Sequence, residues 1–126
     1  MSLDVQVEVL ATYLHVRVRG DNTPENLREY LKQVRDAAVE HGRSDVLIEE
    51  HLHGPPMDRF EIFRVVTDRT PDAALLNMRV AFVDAVERPD REGMELGESL
   101  ANRRGVVVRS FEDLDAARRW ITGGGA

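Results

Sequence analysis

The chain has 126 residues, of which 42% are apolar and 32% charged, with a formal net charge of −6 and no cysteine. This composition is typical of one globular domain and unlike that of a disordered or membrane-spanning chain. The acidic balance argues against nucleic-acid binding, and the lack of cysteine excludes disulfides, thiolate metal sites and a cysteine nucleophile. Residues 1–4 do not start a signal-peptide pattern, so we expect a cytoplasmic protein.

The first third of the chain has the pattern of a hairpin followed by a helix. Apolar and polar residues alternate over residues 5–10 and again over 14–19. This period of two predicts two antiparallel strands. Thr23 can then cap a helix in which Pro24 takes the first position, and Gly42 has the residue type of a C-terminal cap.

The middle of the chain alternates a short apolar run with a helical pattern. Val46-Leu47-Ile48 predicts a buried parallel strand, and the prolines at 55 and 56 predict an irregular loop over residues 51–56. A second helix is expected to begin near Asp58 and to stop at residues 69–71. Its apolar residues recur at helical spacing: Phe60, Ile62, Phe63, Val65 and Val66.

The last third repeats the alternation of strand and helix. Residues 79–84 predict the fourth strand, and a third helix is expected to open at residues 89–90. Residues 106–108 predict the fifth strand. Ser110, with Asp113 three residues later, has the spacing of a capping box for the last helix.

The order of elements, ββαβαβαβα, defines the expected fold class. It predicts a single α/β domain over residues 1–122, with a singly wound mixed sheet of about five strands and helices mainly on one side. The last helix should bury Trp120, and the glycine-rich residues 123–126 should form a disordered tail.

These segments resemble the SpoIIAA-like proteins, relatives of the STAS domain (sulfate transporter and anti-sigma factor antagonist). The similarity covers nearly the whole chain as an order of elements. It is sharpest at residues 46–49 before the loop containing Gly54, at residues 79–83, and at residues 103–111 leading to Ala117, Trp120 and Ile121. The resemblance implies a non-enzymatic regulatory or binding domain without a cofactor.

One feature of that family is missing from this chain. In the anti-sigma antagonist branch, a serine just after the third strand is phosphorylated by a partner kinase, which alters a docking surface. Residues 49–59 contain neither serine nor threonine. The resemblance therefore does not extend to the phosphorylation switch.

The second helix carries more apolar side chains than one buried stripe requires. It is either a well-buried helix or one that exposes a patch for a protein partner or for a second copy of the chain. The resemblance places docking at the same segment, residues 51–66. We therefore expect partner binding through His51, His53, Asp58, Phe60 and Phe63.

An alternative prediction is a small-molecule or metal site. Imidazoles and carboxylates follow the third strand, and the carboxyl ends of parallel strands meet at one edge, where Asp21 and Glu87 should also emerge. The candidate ligands are Glu49, His51, His53 and Asp84, although two ordinary histidines in a polar loop explain the pattern as well. Because the lipid-carrying Sec14 fold is related, an apolar ligand between sheet and helices is a third possibility, for which this length leaves little spare volume.

Overall fold

A computed structural model describes residues 2–86 and 91–124 of the chain. Its strands are β1 (Leu3–Val9), β2 (Leu14–Asp21), β3 (Asp45–His53), β4 (Arg79–Asp84) and β5 (Val107–Phe111). Its helices are α1 (Pro24–His41), α2 (Arg59–Leu75), α3 (Arg91–Arg103) and α4 (Leu114–Arg119), and α4 runs into a wider π-helical turn, Trp120–Gly124.

The five strands form one sheet in the order β1-β2-β3-β4-β5, so each strand pairs with its neighbour in the chain. β1 is antiparallel to β2, and the remaining pairs are parallel. The predicted α/β fold with a singly wound mixed sheet is therefore confirmed. No helix within residues 2–86 and 91–124 is long and apolar enough to cross a lipid bilayer.

The two faces of the sheet are covered differently. Alternation along β2, β3 and β4 sends even-numbered side chains towards α1, α2 and α3, and odd-numbered side chains towards α4. We call these the three-helix face and the one-helix face. The three-helix face buries Leu14, Val16, Val18, Val46, Ile48, Leu52 and Val80. The one-helix face buries Leu47, Ala81 and Val83 beneath Ala117, Trp120 and Ile121.

Helix α1 begins and ends where local chemistry predicts. The Thr23 hydroxyl accepts the Asn26 N–H at 3.2 Å, and Pro24 takes the first position. Gly42 ends the helix in the left-handed region, at φ 63° and ψ 39°, where a side chain would be strained. Both predicted caps are confirmed.

Strand β3 is longer than its sequence pattern indicated. The prediction of an irregular segment at residues 51–53 is wrong, because β3 continues through His53 alongside β2, with Asp21 opposite His53. The prolines at 55 and 56 stop the strand only after that pairing is complete, and irregular chain begins at Gly54.

Helix α2 also extends past its predicted end at residues 69–71. Pro71 lies inside the helix, which continues to Leu75. A proline removes one backbone hydrogen bond, and packing of the last turn offsets that loss. Ala73 and Leu76 supply this packing by contacting the core of the three-helix face.

The predicted capping box at Ser110 and Asp113 is wrong. Ser110 belongs to β5, and its N–H donates to the Glu98 carboxylate at 3.1 Å. Asp113 caps α4 instead by accepting the Ala116 N–H at 2.7 Å. The predicted start of α3 at residues 89–90 and the end of the predicted tail, residues 125–126, lie outside the described part of the chain.

Candidate functional site

The start of α2 exposes two phenylalanines. Asp58 fixes this end of the helix, because its carboxylate accepts the Phe60 N–H at 2.7 Å while Glu61 accepts the Asp58 N–H at 3.3 Å. Phe60 is 75% exposed and Phe63 is 43% exposed. The buried side of the helix is formed by Ile62 and Val65 instead. The phenylalanines therefore lie outside the core, as a docking patch requires.

The two histidines predicted to accompany this patch lie elsewhere. His51 and His53 occupy odd positions of β3, so their side chains leave the sheet on the one-helix face, whereas α2 packs over the other face. His53 is exposed at the last position of the strand. The structure thus brings Asp58, Phe60 and Phe63 together but separates His51 from them by the thickness of the sheet.

His51 belongs to a small polar cluster on the one-helix face. Glu49 accepts hydrogen bonds from two imidazoles, His15 at 2.9 Å and His51 at 2.7 Å, and its Oε1 lies 3.3 Å from the Arg17 guanidinium. Burial acts to raise the pKa of Glu49, but the hydrogen bonds and charges of His51 and His15 outweigh it and lower the pKa. Glu49 is therefore a structural carboxylate that stays ionised.

The predicted metal ligands do not converge. Asp84 occupies an even position of β4 and faces the three-helix side, whereas Glu49, His51 and His53 face the other side. Within residues 2–86 and 91–124, no three metal-ligating side chains are arranged to hold an ion. The four-residue set suggested by the sequence is thus divided between two faces, because the strand continues where a loop was expected.

A cavity of about 710 Å³ lies on the three-helix face, between the sheet and helices α1, α2 and α3. Helix α2 packs mainly against α1 and α3 rather than against strands, which leaves the space beneath it open. The walls are predominantly apolar and include Leu31, Ile48, Leu52, Ile62, Val80, Phe82 and Met94. The prediction that a chain of this length leaves little room for a ligand is wrong.

Three polar side chains approach one another at the floor of the cavity. Glu50 and Asp84 stand opposite each other in the parallel register of β3 and β4, and the Tyr30 hydroxyl donates to Glu50 Oε2. Glu50 is only 8% exposed. Asp84 Oδ1 accepts the Val86 N–H at 3.4 Å.

The position of Glu50 changes its proton affinity. Burial raises the pKa of Glu50 to about 7, the Asp84 charge adds to this rise, and the hydrogen bond from Tyr30 acts against it. Burial and the nearby Glu50 charge also raise the pKa of Tyr30 well above its usual value. The floor therefore combines a neutral hydroxyl donor with a carboxyl group that changes charge near neutral pH.

Helix α2 adds polar atoms that the protein itself leaves unpaired. Thr70 is 5% exposed, and its hydroxyl makes no hydrogen bond within the described residues. The same holds for Nε of Arg69. Both residues line the cavity. Buried polar groups without a partner are uncommon and destabilising, so a bound molecule is one way to satisfy them.

Reasoning from the sequence overlooked Tyr30 and Glu50 as site residues. The signal was present: Glu50 shares the parity of Val46, Ile48 and Leu52, so an extended strand through residue 52 places a carboxyl group in an apolar face. Tyr30 lies on the buried side of α1, and a tyrosine hydroxyl needs a partner when it is buried.

Comparisons with known proteins identify the fold. No protein-family model and no curated protein sequence matches the chain. Among solved structures, the anti-sigma factor antagonist SpoIIAA in its unphosphorylated form superposes with a TM-score of 0.59 at 13% identity, covering 95% of this chain and 97% of that one. The NMR structure of the protein TM1081 superposes with a TM-score of 0.55 at 16% identity, covering 93% and 87%. The chain therefore has the SpoIIAA-like fold that its sequence resembles.

Proposed function

We propose that this chain is a cytoplasmic, non-enzymatic regulatory domain that binds a protein partner through the loop after β3 and the start of α2. The observation that carries the proposal is the exposure of Phe60 and Phe63 beside a fixed helix end. Two neighbouring aromatic side chains in water are unfavourable unless a partner covers them, and aromatic residues are frequent at the centres of interfaces.

The similarity to an anti-sigma factor antagonist supports a regulatory role without defining the partner. The absence of serine and threonine from residues 49–59 means that phosphorylation in this loop is not part of the proposal. The side chain of His53 leaves the sheet on the one-helix face, but His53 is exposed and directly precedes the loop, so a partner that covers the loop is proposed to reach it as well. His51 is a candidate only for a partner that also reaches the one-helix face.

A site-specific cross-linking experiment tests the proposal. A photoreactive phenylalanine analogue placed at residue 60 should cross-link to a protein partner in cells of the source organism, and one at Val39 should not. Val39 is a suitable control because it is 62% exposed on α1, away from the α2 surface. A discrete cross-linked species that disappears with Phe63→Asp supports the surface. Equal labelling from both positions, or none from residue 60, contradicts it.

A second candidate function is the binding of a small apolar molecule. The specific observation is the cavity of about 710 Å³, which falls in the range of roughly 300–1,000 Å³ typical of small-molecule sites. Its apolar walls and a few polar groups at the floor are also the usual arrangement of such sites. Displacement of a neutral fluorescent dye such as Nile red by apolar compounds tests this candidate directly.

A further inference from the structure

The floor of the cavity, on the side of the sheet, carries two carboxyl groups. Glu50 on β3 and Asp84 on β4 lie opposite each other on neighbouring strands, and the Tyr30 hydroxyl already donates to Glu50. That hydrogen bond is made to Oε2 and does not use Glu50 Oε1. A molecule in the cavity therefore meets an acceptor that can still take a proton donor.

The charge at this floor discriminates between ligand classes. A carboxylate or phosphate head group placed here would face Glu50 and Asp84 with a charge of the same sign, at a position with little water to screen the repulsion. An ammonium group would instead form a charge-assisted hydrogen bond with Glu50, and such bonds are stronger than neutral ones. The surrounding walls offer apolar contact to the rest of the ligand.

Four cationic side chains of the described residues line the cavity, and two of them are already paired. Arg35 binds Asp36 at 2.8 Å and Asp72 at 2.6 Å, and Arg91 pairs with Glu112. The other two are Lys32 on α1, which makes no ion pair within the described residues, and Arg69 on α2, whose Nε has no partner there. An acidic ligand would have to turn its head group towards Lys32 or Arg69 and away from the floor, which makes it the competing possibility.

We propose that the cavity binds an amphiphile with an apolar chain and a cationic amine head group that hydrogen-bonds to Glu50. This inference rests on the second candidate function, the binding of a small apolar molecule. It adds the chemical class of the ligand: a long-chain amine in preference to a fatty acid or a neutral alcohol of the same length.

A matched set of ligands tests the head group. Decylamine, decanoic acid and decanol, each below its aggregation concentration, are titrated against the protein with bound Nile red at pH 8. At this pH the amine is cationic and Glu50 is largely ionised. Decylamine should bind about ten-fold more tightly than either of the other two, as expected for one buried charge-assisted hydrogen bond.

Three variants separate the possible causes. Glu50→Gln keeps the size and an acceptor but removes the charge, so the preference for the amine should vanish while alcohol binding persists. Glu95→Gln, an exposed change on α3 outside the cavity lining, makes the same change in net charge and should behave as the wild type. Gly97→Phe should fill the space, because Gly97 lines the cavity and a Cβ added there meets no atom within 4 Å. All three ligands should lose affinity in that variant.

The outcomes distinguish the preference for an amine head group from the binding of apolar molecules in general. If none of the three compounds displaces the dye, or if displacement is unchanged in Gly97→Phe, the cavity is not a binding site and both ideas fail. If decanoic acid binds as tightly as decylamine, or if the amine preference survives in Glu50→Gln, the head-group inference is overturned while the cavity remains a ligand site.

Discussion

Replacing Glu50 by glutamine should change the way stability depends on pH. Burial raises the pKa of this carboxyl group from an ordinary value of 4.5 to about 7. Between these two values the folded protein holds a proton that the unfolded chain has released. The free energy of unfolding of the wild type therefore falls as pH rises through this interval. Glutamine also accepts the hydrogen bond from the Tyr30 hydroxyl and carries no charge at any pH, so the E50Q variant should not show this loss.

The size of the effect follows from the two pKa values. At 1.36 kcal/mol per pH unit, the interval corresponds to about 3 kcal/mol, of which about 2.5 kcal/mol falls between pH 5 and pH 8. This is a large fraction of the 5–15 kcal/mol by which domains are usually stable, as an order of magnitude. The E50Q variant should be close to the wild type at pH 5 and clearly more stable at pH 8.

Urea unfolding followed by the fluorescence of Trp120 measures this difference, because Trp120 is the only tryptophan and is buried. The quantity of interest is the free energy of unfolding of E50Q minus that of the wild type at pH 5, 6, 7 and 8. Subtraction cancels the titration of groups that behave alike in both proteins. A difference that stays constant from pH 5 to pH 8 would show that Glu50 titrates near its ordinary pKa, and the reasoning would be wrong.

Glu49, which precedes Glu50 in the chain, provides a control in which stability depends on pH in the opposite direction. The His51 and His15 contacts lower the pKa of Glu49 against the effect of burial, so its stabilising contribution is present above its unfolded pKa and is lost as pH falls through its folded pKa. The E49Q variant should therefore be less stable than the wild type at neutral pH, with the gap closing under acid conditions. Parallel curves for E49Q and E50Q would contradict the assignment of these carboxylates to different environments.

Three further substitutions test the backbone, each by urea unfolding at pH 7. Gly20→Ala should lower the free energy of unfolding by about 1–3 kcal/mol, because Gly20 has a φ of 151° and an added Cβ would lie 2.3 Å from the Ser2 carbonyl oxygen. An unchanged urea midpoint would show that the N-terminal strand shifts freely. Thr23→Ala should cost about 1 kcal/mol by removing the cap on the Asn26 N–H, and Thr23→Ser should retain most of it. Pro71→Ala should stabilise α2 by about 1–2 kcal/mol, and a loss of stability would mean that the proline is favourable in its helical position.

Features set by local chemistry were predictable from the sequence. Thr23 and Gly42 cap α1 because their own side-chain and backbone preferences suffice, whatever lies elsewhere in the chain. The strand order also followed, since alternating strands and helices with short connections favour neighbouring strands. The features missed depend on partners far away in sequence. β3 reaches His53 because β2 offers it a paired edge, and α2 passes Pro71 because the core holds its last turn.

The same difference between local and distant determinants explains which residues of the candidate site could be predicted. The sequence shows Glu49 and Glu50 as one acidic pair, and nothing local separates them. Once β3 is extended, their parity sends Glu49 to a polar cluster and Glu50 to an apolar cavity, with opposite effects on the pKa. The cavity itself was not predictable, because it results from how α2 rests on α1 and α3 above the sheet.

Helix α2 links the two proposed functions while keeping them separable. Ion pairs link it to α1, Arg28 to Asp68 at 2.7 Å and Arg35 to Asp72 at 2.6 Å, and it packs mainly against α1 and α3 above the cavity. Its outer side carries the phenylalanines, and its inner side closes the cavity. A change at Phe60 should therefore affect docking while leaving the cavity walls intact, and filling the cavity from α3 should leave the outer side unaltered. If ligand and partner binding nevertheless respond to each other, the coupling has to pass through a movement of α2, because that helix is the element common to both surfaces.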